Sequence, residues 1–208
     1  MSARPSLVIA TGNAHKTAEF REMLADYAKI IDLSHPAFAD LPDIIEDGKT
    51  FEDNSVIKSR TISKLTDAYV LADDSGLEVD SLNGEPGVIS ARYSGEGATD
   101  ATNREKLLTT LTEKNFTAPA DRRARFRCVL SLAKNDKLLG TWHGTLEGTI
   151  LDREQGNGGF GYDSLFKPEN FDHSLAEISA AAKNAISHRG RAVQALLNDL
   201  AIQKISIT

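Results

Sequence analysis

Hydrophobic and polar positions along the chain follow two different periods, which predict a mixture of strands and helices. The apolar run SLVIA (6–10) predicts a buried strand, and KIIDLS (29–34) predicts a second one. Between them, residues 16–28 carry apolar side chains at the helical spacing i, i+3, i+4, i+7, namely Phe20, Met23, Leu24 and Tyr27. The chain therefore begins with a strand–helix–strand pattern.

Three further helices are indicated by their starting residues or their periodicity. Thr50 followed by Asp53 is typical of a capping arrangement and opens a helix to about residue 65, with Phe51, Ile57 and Leu65 as its inner face. Thr99 is the expected N-cap of a helix over residues 99–114, and a last helix is expected over residues 189–202.

The middle of the chain contains the strongest strand patterns. Residues 68–80, AYVLADDSGLEVD, predict a strand, a sharp turn and another strand. Residues 123–134, RARFRCVLSLAK, alternate with period two, and Asn135-Asp136 turns the chain back into residues 137–150. The sequence therefore predicts one mixed α/β unit in which a long hairpin forms part of a second lobe.

Composition and charge narrow the classes of function. The 208 residues are 40% hydrophobic and 26% charged, the balance of a globular protein with one large domain or two closely packed lobes. A net charge of -6 argues against sequence-independent nucleic-acid binding, which needs a basic face. The arginines at 123, 125 and 127 are accordingly expected on a solvated outer face or a dimer contact. A polyanionic ligand would have to be met by a few cations or a metal.

Cysteine content and hydropathy indicate the expected cellular compartment. Cys128 is the only cysteine, so neither an intrachain disulfide nor a cysteine-based zinc site is possible, and we expect it to be an inert core residue. No basic-then-apolar leader is seen, and no apolar run reaches the ~20 residues that span a bilayer. We therefore expect a cytoplasmic protein with no membrane association.

The stretch TGNAHK (11–16) is the first candidate for chemistry. It joins a strand to a helix start, where unpaired N–H groups and a positive dipole can bind an anion. Asn13 and Lys16 could contact phosphates there, although the glycine spacing is neither that of a P-loop nor G-x-G-x-x-G. The alternative is an ordinary turn with a solvated lysine.

The stretch LADDSG (71–76) is the second candidate. Acids at the end of an apolar strand are costly to bury unless paired, and neighbours on a strand point to opposite faces, so Asp73 and Asp74 should have different roles. With Glu46 they offer hard oxygen ligands of the kind that Mg²⁺ binds. The alternative is a turn with Asx-type hydrogen bonds.

The third and fourth candidates lie near the C-terminus. In GGFGYDSLF (158–166), glycines allow close approach of a ligand, and Phe160 offers a face on which a nucleobase can stack. The alternative is a glycine-rich turn that packs two core aromatics. Within KNAISHRGRA (183–192), Lys183, His188 and Arg189 are potential donors, although such a cluster is usually a solvated helix face.

Taken together, these stretches resemble one family over nearly the whole chain. Six motifs are similar to those of the inosine triphosphate pyrophosphatase family. They are TGNAHK, E-x-G-x-T-F at Glu46 to Phe51, LADDSG, PGVISARYSG, GGFGYD and KNAISHRG. The resemblance implies an elongated α/β protein with a central mixed sheet, two lobes flanking a nucleotide-binding cleft, and a homodimer. It also implies Mg²⁺-dependent hydrolysis of deaminated purine nucleoside triphosphates to monophosphate and pyrophosphate.

The resemblance also implies roles for individual residues. Asp74 would be the general base and, with Glu46, a metal ligand. Residues implied to bind substrate are Thr11, Gly12, Asn13, Ala14, His15, Lys16, Ser75, Phe160, Gly161, Tyr162, Asp163, Lys183, His188 and Arg189. The sequence departs from the family at Asp53, where glutamate is common, and at Ala182, where an acid is frequent. The second departure leaves Lys183 without a neighbouring acid in the sequence.

Two other functions remain open at this point. A nucleotide-binding sensor could hold the triphosphate without cleaving it, but binding alone gains little from the carboxylates at Asp73 and Asp74. A pyrophosphatase of similar architecture could act on modified pyrimidines. An assay with Mg²⁺ and a panel of nucleoside triphosphates separates all three.

Overall fold

The structure is a computed structural model that describes residues 6–41 and 44–203. Within these residues the chain forms six strands: β1 (Ser6–Ile9), β2 (Lys29–Asp32), β3 (Tyr69–Val79), β4 (Arg123–Lys134), β5 (Lys137–Ile150) and β6 (Phe166–Pro168). The helices are α1 (Ala14–Leu24), α2 (Phe51–Ser63), α3 (Asp100–Glu113), α4 (Ala180–Ile186) and α5 (His188–Gln203). None of the helices described is long and apolar enough to cross a membrane.

The strands form one mixed sheet in the order β2-β1-β3-β4-β5-β6. β1 pairs in parallel with both β2 and β3, whereas β6 is antiparallel to β5. Asn135 and Asp136 join β4 to β5 with φ of 49° and 63°, the backbone of a two-residue hairpin turn. The mixed α/β class expected from the sequence is confirmed.

The described chain divides into two compact units. The first contains the residues up to Asp74, residues Cys128–Gly144 and those from Gly190 onward, and the second contains Ser75–Arg127 and Thr145–Arg189. Each unit has its own hydrophobic core. Ile9, Leu71 and Leu130 are fully buried in the first unit, and Leu77 and Leu107 are fully buried in the second.

Helix α1 is shorter than its apolar spacing predicts. Phe20 and Leu24 are buried against the sheet core, as expected, and Met23 packs at its edge. The helix ends at Leu24, and the Tyr27 side chain is 55% exposed. The prediction that the helix continues to residue 28 is therefore wrong, because the chain leaves the helix after Leu24 and Tyr27 lies outside it.

Helix α2 begins as predicted but also ends early. Thr50 Oγ1 accepts from Asp53 N at 3.1 Å and Asp53 Oδ2 accepts from Thr50 N at 3.1 Å, which completes the capping box. Aspartate therefore serves where the family commonly has glutamate. Phe51 is buried and Ile57 half-buried, but Leu65 follows the end of the helix and is 56% exposed, so its predicted place on the inner face is wrong.

Residues 68–80 differ most from the structure that the sequence predicts. The sequence predicts a sharp turn at the two acids, but β3 runs without interruption from Tyr69 to Val79. The Asp73 and Asp74 side chains are buried in this strand, and each meets a lysine from a helix. Because these ammonium groups compensate the carboxylates, the chain can continue through them as a strand, and the Asx-turn alternative is wrong.

The arginines of β4 face acidic side chains of the second unit. Arg125 lies 2.9 Å from Asp80 and 3.0 Å from Glu147, and Arg127 lies 3.8 Å from Glu78. Such a paired, partly exposed face agrees with the solvated outer face expected for these arginines. Cys128, which follows on the same strand, is buried in the core of the first unit, as expected.

Candidate active site

The turn between β1 and α1 places the TGNAHK residues at a helix start. Asn13 is the N-cap of α1, and its Oδ1 accepts from His15 N at 2.9 Å and from Lys16 N at 3.2 Å. Thr11 Oγ1 accepts from Asn13 N at 3.2 Å. Gly12, Asn13, Ala14 and His15 are exposed, so the turn is accessible to a ligand. The Asn13 side chain must turn aside if these two N–H groups are to bind a phosphate.

Lys16 connects this turn to β3. Its Nζ lies 2.9 Å from Asp73 Oδ2, and the Asp73 side chain has no exposed surface. The Lys16 side chain keeps 16% of its surface exposed. A lysine held in this way is oriented by a carboxylate and still accessible from solvent, which are properties that a phosphate-binding side chain needs.

A second lysine, Lys58 of α2, lies between two carboxylates. Its Nζ is 2.7 Å from Glu46 Oε2 and 3.4 Å from Asp74 Oδ1. Asp73 and Asp74 therefore contact different lysines, in agreement with the different roles expected for them. Lys16, Glu46, Lys58, Asp73 and Asp74 form what we call the carboxylate–lysine group, and all five belong to the first unit.

Gly48 brings Glu46 to this group. A Cβ at Gly48 would lie 2.5 Å from Asp53 Cβ and 2.6 Å from Asn54 Oδ1, so only glycine permits the chain to pass this close to α2. The Gly48 N–H also donates to Asn54 Oδ1 at 2.9 Å. The E-x-G-x-T-F motif thus fixes its glutamate against the helix that carries Lys58.

Burial and charge act against each other on the ionisable groups here. Burial raises the pKa of Asp74, and the neighbouring Lys58 and Lys16 only partly oppose this, so the pKa stays above its ordinary value. Burial lowers the pKa of Lys58, but the charges of Asp74, Asp73 and Glu46 outweigh it, and the net shift is upward. Lys58 is therefore a cation, and Asp74 is a stronger base than a solvated carboxylate.

The donor set fits a hard divalent cation. Glu46 Oε2 and Asp74 Oδ1 both contact Lys58 Nζ, so the two carboxylates lie close to each other, and Asp74 Oδ2 is buried with no hydrogen-bond partner among the described residues. Residues 6–41 and 44–203 contain no group of three or more histidine, cysteine or acidic side chains that could enclose a metal. Mg²⁺ is typically bound by one or two carboxylates together with substrate phosphates, so two carboxylates suffice.

The second unit contains a separate group around Phe160. Lys183 Nζ lies 2.6 Å from Asp163 Oδ2 and 4.5 Å from the centroid of the half-buried Phe160 ring. Asp163 Oδ2 also accepts from Phe160 N at 2.9 Å. Phe160, Asp163 and Lys183 form what we call the aromatic–lysine group. Lys183 therefore has an acidic partner after all, and it comes from the GGFGYD motif rather than from position 182.

Tyr162, His188 and Arg189 are buried in the same unit. Tyr162 Oη donates to Ser90 O at 2.8 Å, which makes Tyr162 a packing residue of the loop. The His188 ring stacks on Phe126 with centroids 4.8 Å apart, and Arg189 Nη2 donates to Ser75 Oγ at 2.9 Å. His188 is 5% and Arg189 1% exposed, so the alternative of a solvated helix face is wrong.

Sequence reasoning missed Lys58, although a signal was present. Lys58 falls at helical spacing in α2 with the buried residues Phe51, Ser55 and Ile62. A lysine at an inward position must have a partner, because an unpaired buried charge is very costly. The same reasoning applied to α2 would have predicted a carboxylate opposite Lys58.

The fold and the carboxylate–lysine group define an α/β protein in which buried lysines and carboxylates form a site suited to a phosphate-containing ligand. The chain belongs to the Ham1 family, whose profile matches residues 7–199. The family resemblance read from the motifs is thereby confirmed.

Relatives and a solved structure agree with this assignment. The chain is 47% identical over 189 residues to the dITP/XTP pyrophosphatase of Desulfotalea psychrophila, covering 91% of this chain and 82% of the relative. It is 45% identical over 199 residues to that of Geobacter sulfurreducens, covering 96% and 98%. The structure of a HAM1 protein from Coxiella burnetii superposes with a TM-score of 0.83 at 40% identity, covering 95% of this chain and 98% of that one.

Proposed function

We propose that the protein is a nucleoside triphosphate pyrophosphatase that hydrolyses dITP, ITP and XTP to the monophosphate and pyrophosphate, and so removes these nucleotides from the pool. The observation that carries the proposal is the buried carboxylate–lysine group, in a chain whose relatives are named dITP/XTP pyrophosphatase. Carboxylates this close to a phosphate-binding lysine favour hydrolysis over simple binding, because they would repel a phosphate unless a cation and a reacting water lay between them.

Lys16 and the turn before α1 would bind the triphosphate. The helix N-terminus carries a partial positive charge, and the Lys16 ammonium is oriented by Asp73 and accessible from solvent. Lys58 would contribute a second cation beside Asp74. These charges offset the negative charge that builds up on the phosphate oxygens in the transition state.

Glu46 and Asp74 would hold Mg²⁺. When bound there, the ion would neutralise phosphate charge and lower the pKa of a coordinated water. Asp74 has a carboxylate oxygen, Oδ2, that no group in the described part of the chain uses, and a pKa raised by burial. Both properties suit a group that accepts a proton from water.

The proposed reaction is a displacement at phosphorus. The oxygen of water forms a bond to the α-phosphorus, and the bond between that phosphorus and the oxygen that bridges it to the β-phosphate breaks. Its electron pair leaves with the pyrophosphate, and the proton of the water passes to the Asp74 carboxylate. The products are one nucleoside monophosphate and one pyrophosphate, with no covalent intermediate on the protein.

The aromatic–lysine group would bind the base and sugar. Phe160 is half-buried and offers a stacking face, while Asp163 and Lys183 add polar contacts. Hypoxanthine and xanthine carry a 6-oxo acceptor that donors from His188, Arg189 or the nearby backbone can satisfy. Adenine places an amino donor there instead, and guanine adds an amino group at position 2 that needs an acceptor.

A panel of substrates tests the proposal. Each unsatisfied buried polar group costs about 1 to 3 kcal/mol, and sites built on hydrogen bonds can discriminate more. We therefore expect kcat/KM for ITP, dITP and XTP to exceed that for ATP and GTP at least ~100-fold, with pyrimidine nucleotides also poor. Comparable rates on ATP would indicate a general phosphohydrolase, and efficient hydrolysis of modified pyrimidine nucleotides would indicate the related pyrimidine activity.

We also propose that the protein acts as a homodimer with cofactor Mg²⁺. Support for the dimer comes from the motifs, which include PGVISARYSG, because their resemblance to the family implies a homodimer. Sedimentation equilibrium should give the mass of two chains at micromolar concentration. A mass of one chain throughout that range would contradict the dimer without affecting the proposed activity.

A further inference from the structure

Two side chains of helix α3 bind the backbone of a single glycine in the glycine-rich motif. The N–H of Gly161 donates to Asp100 Oδ2 at 2.7 Å, and the C=O of Gly161 accepts from Arg104 Nη1 at 2.8 Å. Asp100 and Arg104 are one helical turn apart, so they lie on the same face of α3. Both backbone groups of the residue that follows Phe160 are therefore held by one helix.

A second connection joins the same helix to the other end of the motif. Arg104 Nε lies 2.9 Å from Glu154 Oε2, and that same oxygen accepts from Ser164 Oγ at 2.9 Å. Arg104 thus contacts Gly161 directly and Ser164 through Glu154. Residues 161–164, which include Asp163, are tied to α3 at both ends.

The motif needs such support because of its backbone. Gly159 and Gly161 have φ of +70° and +61°, in the left-handed region that favours glycine. Glycines leave a segment with more conformational freedom to lose when it becomes ordered. Holding the Gly161 backbone fixes the chain immediately after Phe160 and so limits the directions in which the Phe160 ring can point.

We propose that Asp100 and Arg104 are positioning residues that preorganise the Phe160 segment for the base of the substrate. The inference rests on the proposed function for the identity of the ligand, but the contacts themselves do not depend on it. Neither side chain belongs to the carboxylate–lysine group. Their loss should therefore weaken contacts to the base while leaving contacts to the phosphates unchanged.

A capping or surface role alone does not account for this geometry. The N-cap of α3 is Thr99, whose side chain accepts from Thr102 N at 3.2 Å, so Asp100 is not required to cap the helix. The Arg104 side chain is only 18% exposed, and it donates to a backbone carbonyl as well as facing a carboxylate. Ion pairs that serve only the surface are usually exposed on both sides and contribute little.

The test uses two ligands that separate the base from the phosphates. Inosine monophosphate presents the base with one phosphate, whereas inorganic tripolyphosphate presents no base. Dissociation constants for both are measured by calorimetry on the full chain and on Asp100→Ala, Asp100→Asn, Arg104→Ala and Glu105→Ala. Asparagine retains an oxygen that can accept from Gly161 N–H, and Glu105 is an exposed acid on the same helix.

We expect Asp100→Ala and Arg104→Ala each to weaken inosine monophosphate binding about tenfold, which is the scale of one lost hydrogen bond in an ordered loop. In assays of ITP hydrolysis, each variant should raise KM more than it lowers kcat. Tripolyphosphate binding should not change, Asp100→Asn should restore most of the affinity, and Glu105→Ala should match the parent protein. Unchanged binding of inosine monophosphate in both alanine variants would overturn the proposal, as would equal weakening of both ligands.

Hydrogen exchange on the unliganded protein separates this inference from the proposed function. In Asp100→Ala the amide of Gly161 should exchange at least several-fold faster than in the parent, with the amides of α1 unaffected. If the parent protein bound no inosine monophosphate, the proposed function would fail. The exchange rates would still test whether Asp100 orders the segment around Gly161. Unaltered exchange at Gly161 would contradict that role.

Discussion

The carboxylate–lysine group and the aromatic–lysine group contain similar residues but differ in charge balance. The first places the carboxylates of Glu46, Asp73 and Asp74 against only two ammonium groups, those of Lys16 and Lys58. The second matches Asp163 with Lys183 one to one, beside a neutral ring. The first group therefore has a negative charge left over, and the second has none.

This difference is the basis on which we propose a position for the metal. A group with excess negative charge gains from an added cation. Burial raises the pKa of Asp74 against the opposing charges of Lys58 and Lys16, so this carboxylate would also gain from a further positive charge beside it. A balanced pair such as Asp163–Lys183 orients side chains without needing an ion. We therefore propose that hydrolysis takes place at the first group and that the second group selects the base.

Asp74→Asn should have the largest effect among the single substitutions. Loss of a positioned base typically costs at least ~100-fold in turnover, while the affinity for inosine monophosphate should stay within about twofold because that ligand depends on the other group. The matched control is Asp67→Asn, at an exposed position of the same unit. Near-normal turnover of Asp74→Asn in steady-state assays would remove Asp74 from the role.

Lys16→Ala should affect the phosphate end more strongly than the base end. Removing this cation should weaken tripolyphosphate binding at least ~10-fold while inosine monophosphate binding changes little, because only the longer chain places its outer phosphates at the first turn of α1. Lys49→Ala, at an exposed lysine, is the control. Since Asp73 is buried, a melting curve must first show that the variant is folded. Equal losses for the two ligands would place the phosphates elsewhere.

Phe160→Ala should show the opposite selectivity. Stacking of a base on an aromatic ring contributes about 1 to 3 kcal/mol, so KM for ITP should rise roughly tenfold or more while tripolyphosphate binding is retained. Phe171→Ala removes a ring that is 37% exposed and serves as the control. If Phe160→Ala lowered kcat and left KM unchanged, the result would contradict the separate roles proposed for the two groups.

The capping boxes of α2 and α3 provide the smallest and most closely matched comparison. Thr50→Ala and Thr99→Ala each remove a side-chain acceptor at a helix N-terminus, one in each unit. Each should lower the free energy of unfolding by about 1 kcal/mol, as read from urea denaturation. A loss several times larger in one variant would show that the cap also supports packing of that unit.

The sequence predicted the regular elements better than the contacts of charged residues. The predicted strands at residues 123–134 and 137–150 match β4 and β5, because strict alternation and the Asn135-Asp136 turn are local signals. The capping boxes at Thr50 and Thr99 are equally local, since their partners lie three residues away. Such features depend little on the rest of the fold.

The largest error arose where distant residues decide the local structure. The acids in β3 suggested a turn, and only lysines from α1 and α2 make an uninterrupted strand possible there. Asp163 as the partner of Lys183 is likewise a contact between segments far apart in the chain. Short-range periodicity carries no information on such pairs, so a buried lysine such as Lys58 is found only by asking what would neutralise it.

Product analysis with dITP tests the central claim most directly. The protein is incubated with dITP with and without Mg²⁺, and the products are separated by ion-exchange chromatography at several times. We predict equal amounts of dIMP and pyrophosphate, formed together from the first time point and only when Mg²⁺ is present. Release of orthophosphate with dIDP as an intermediate, or the same rate in excess chelator, would contradict the account.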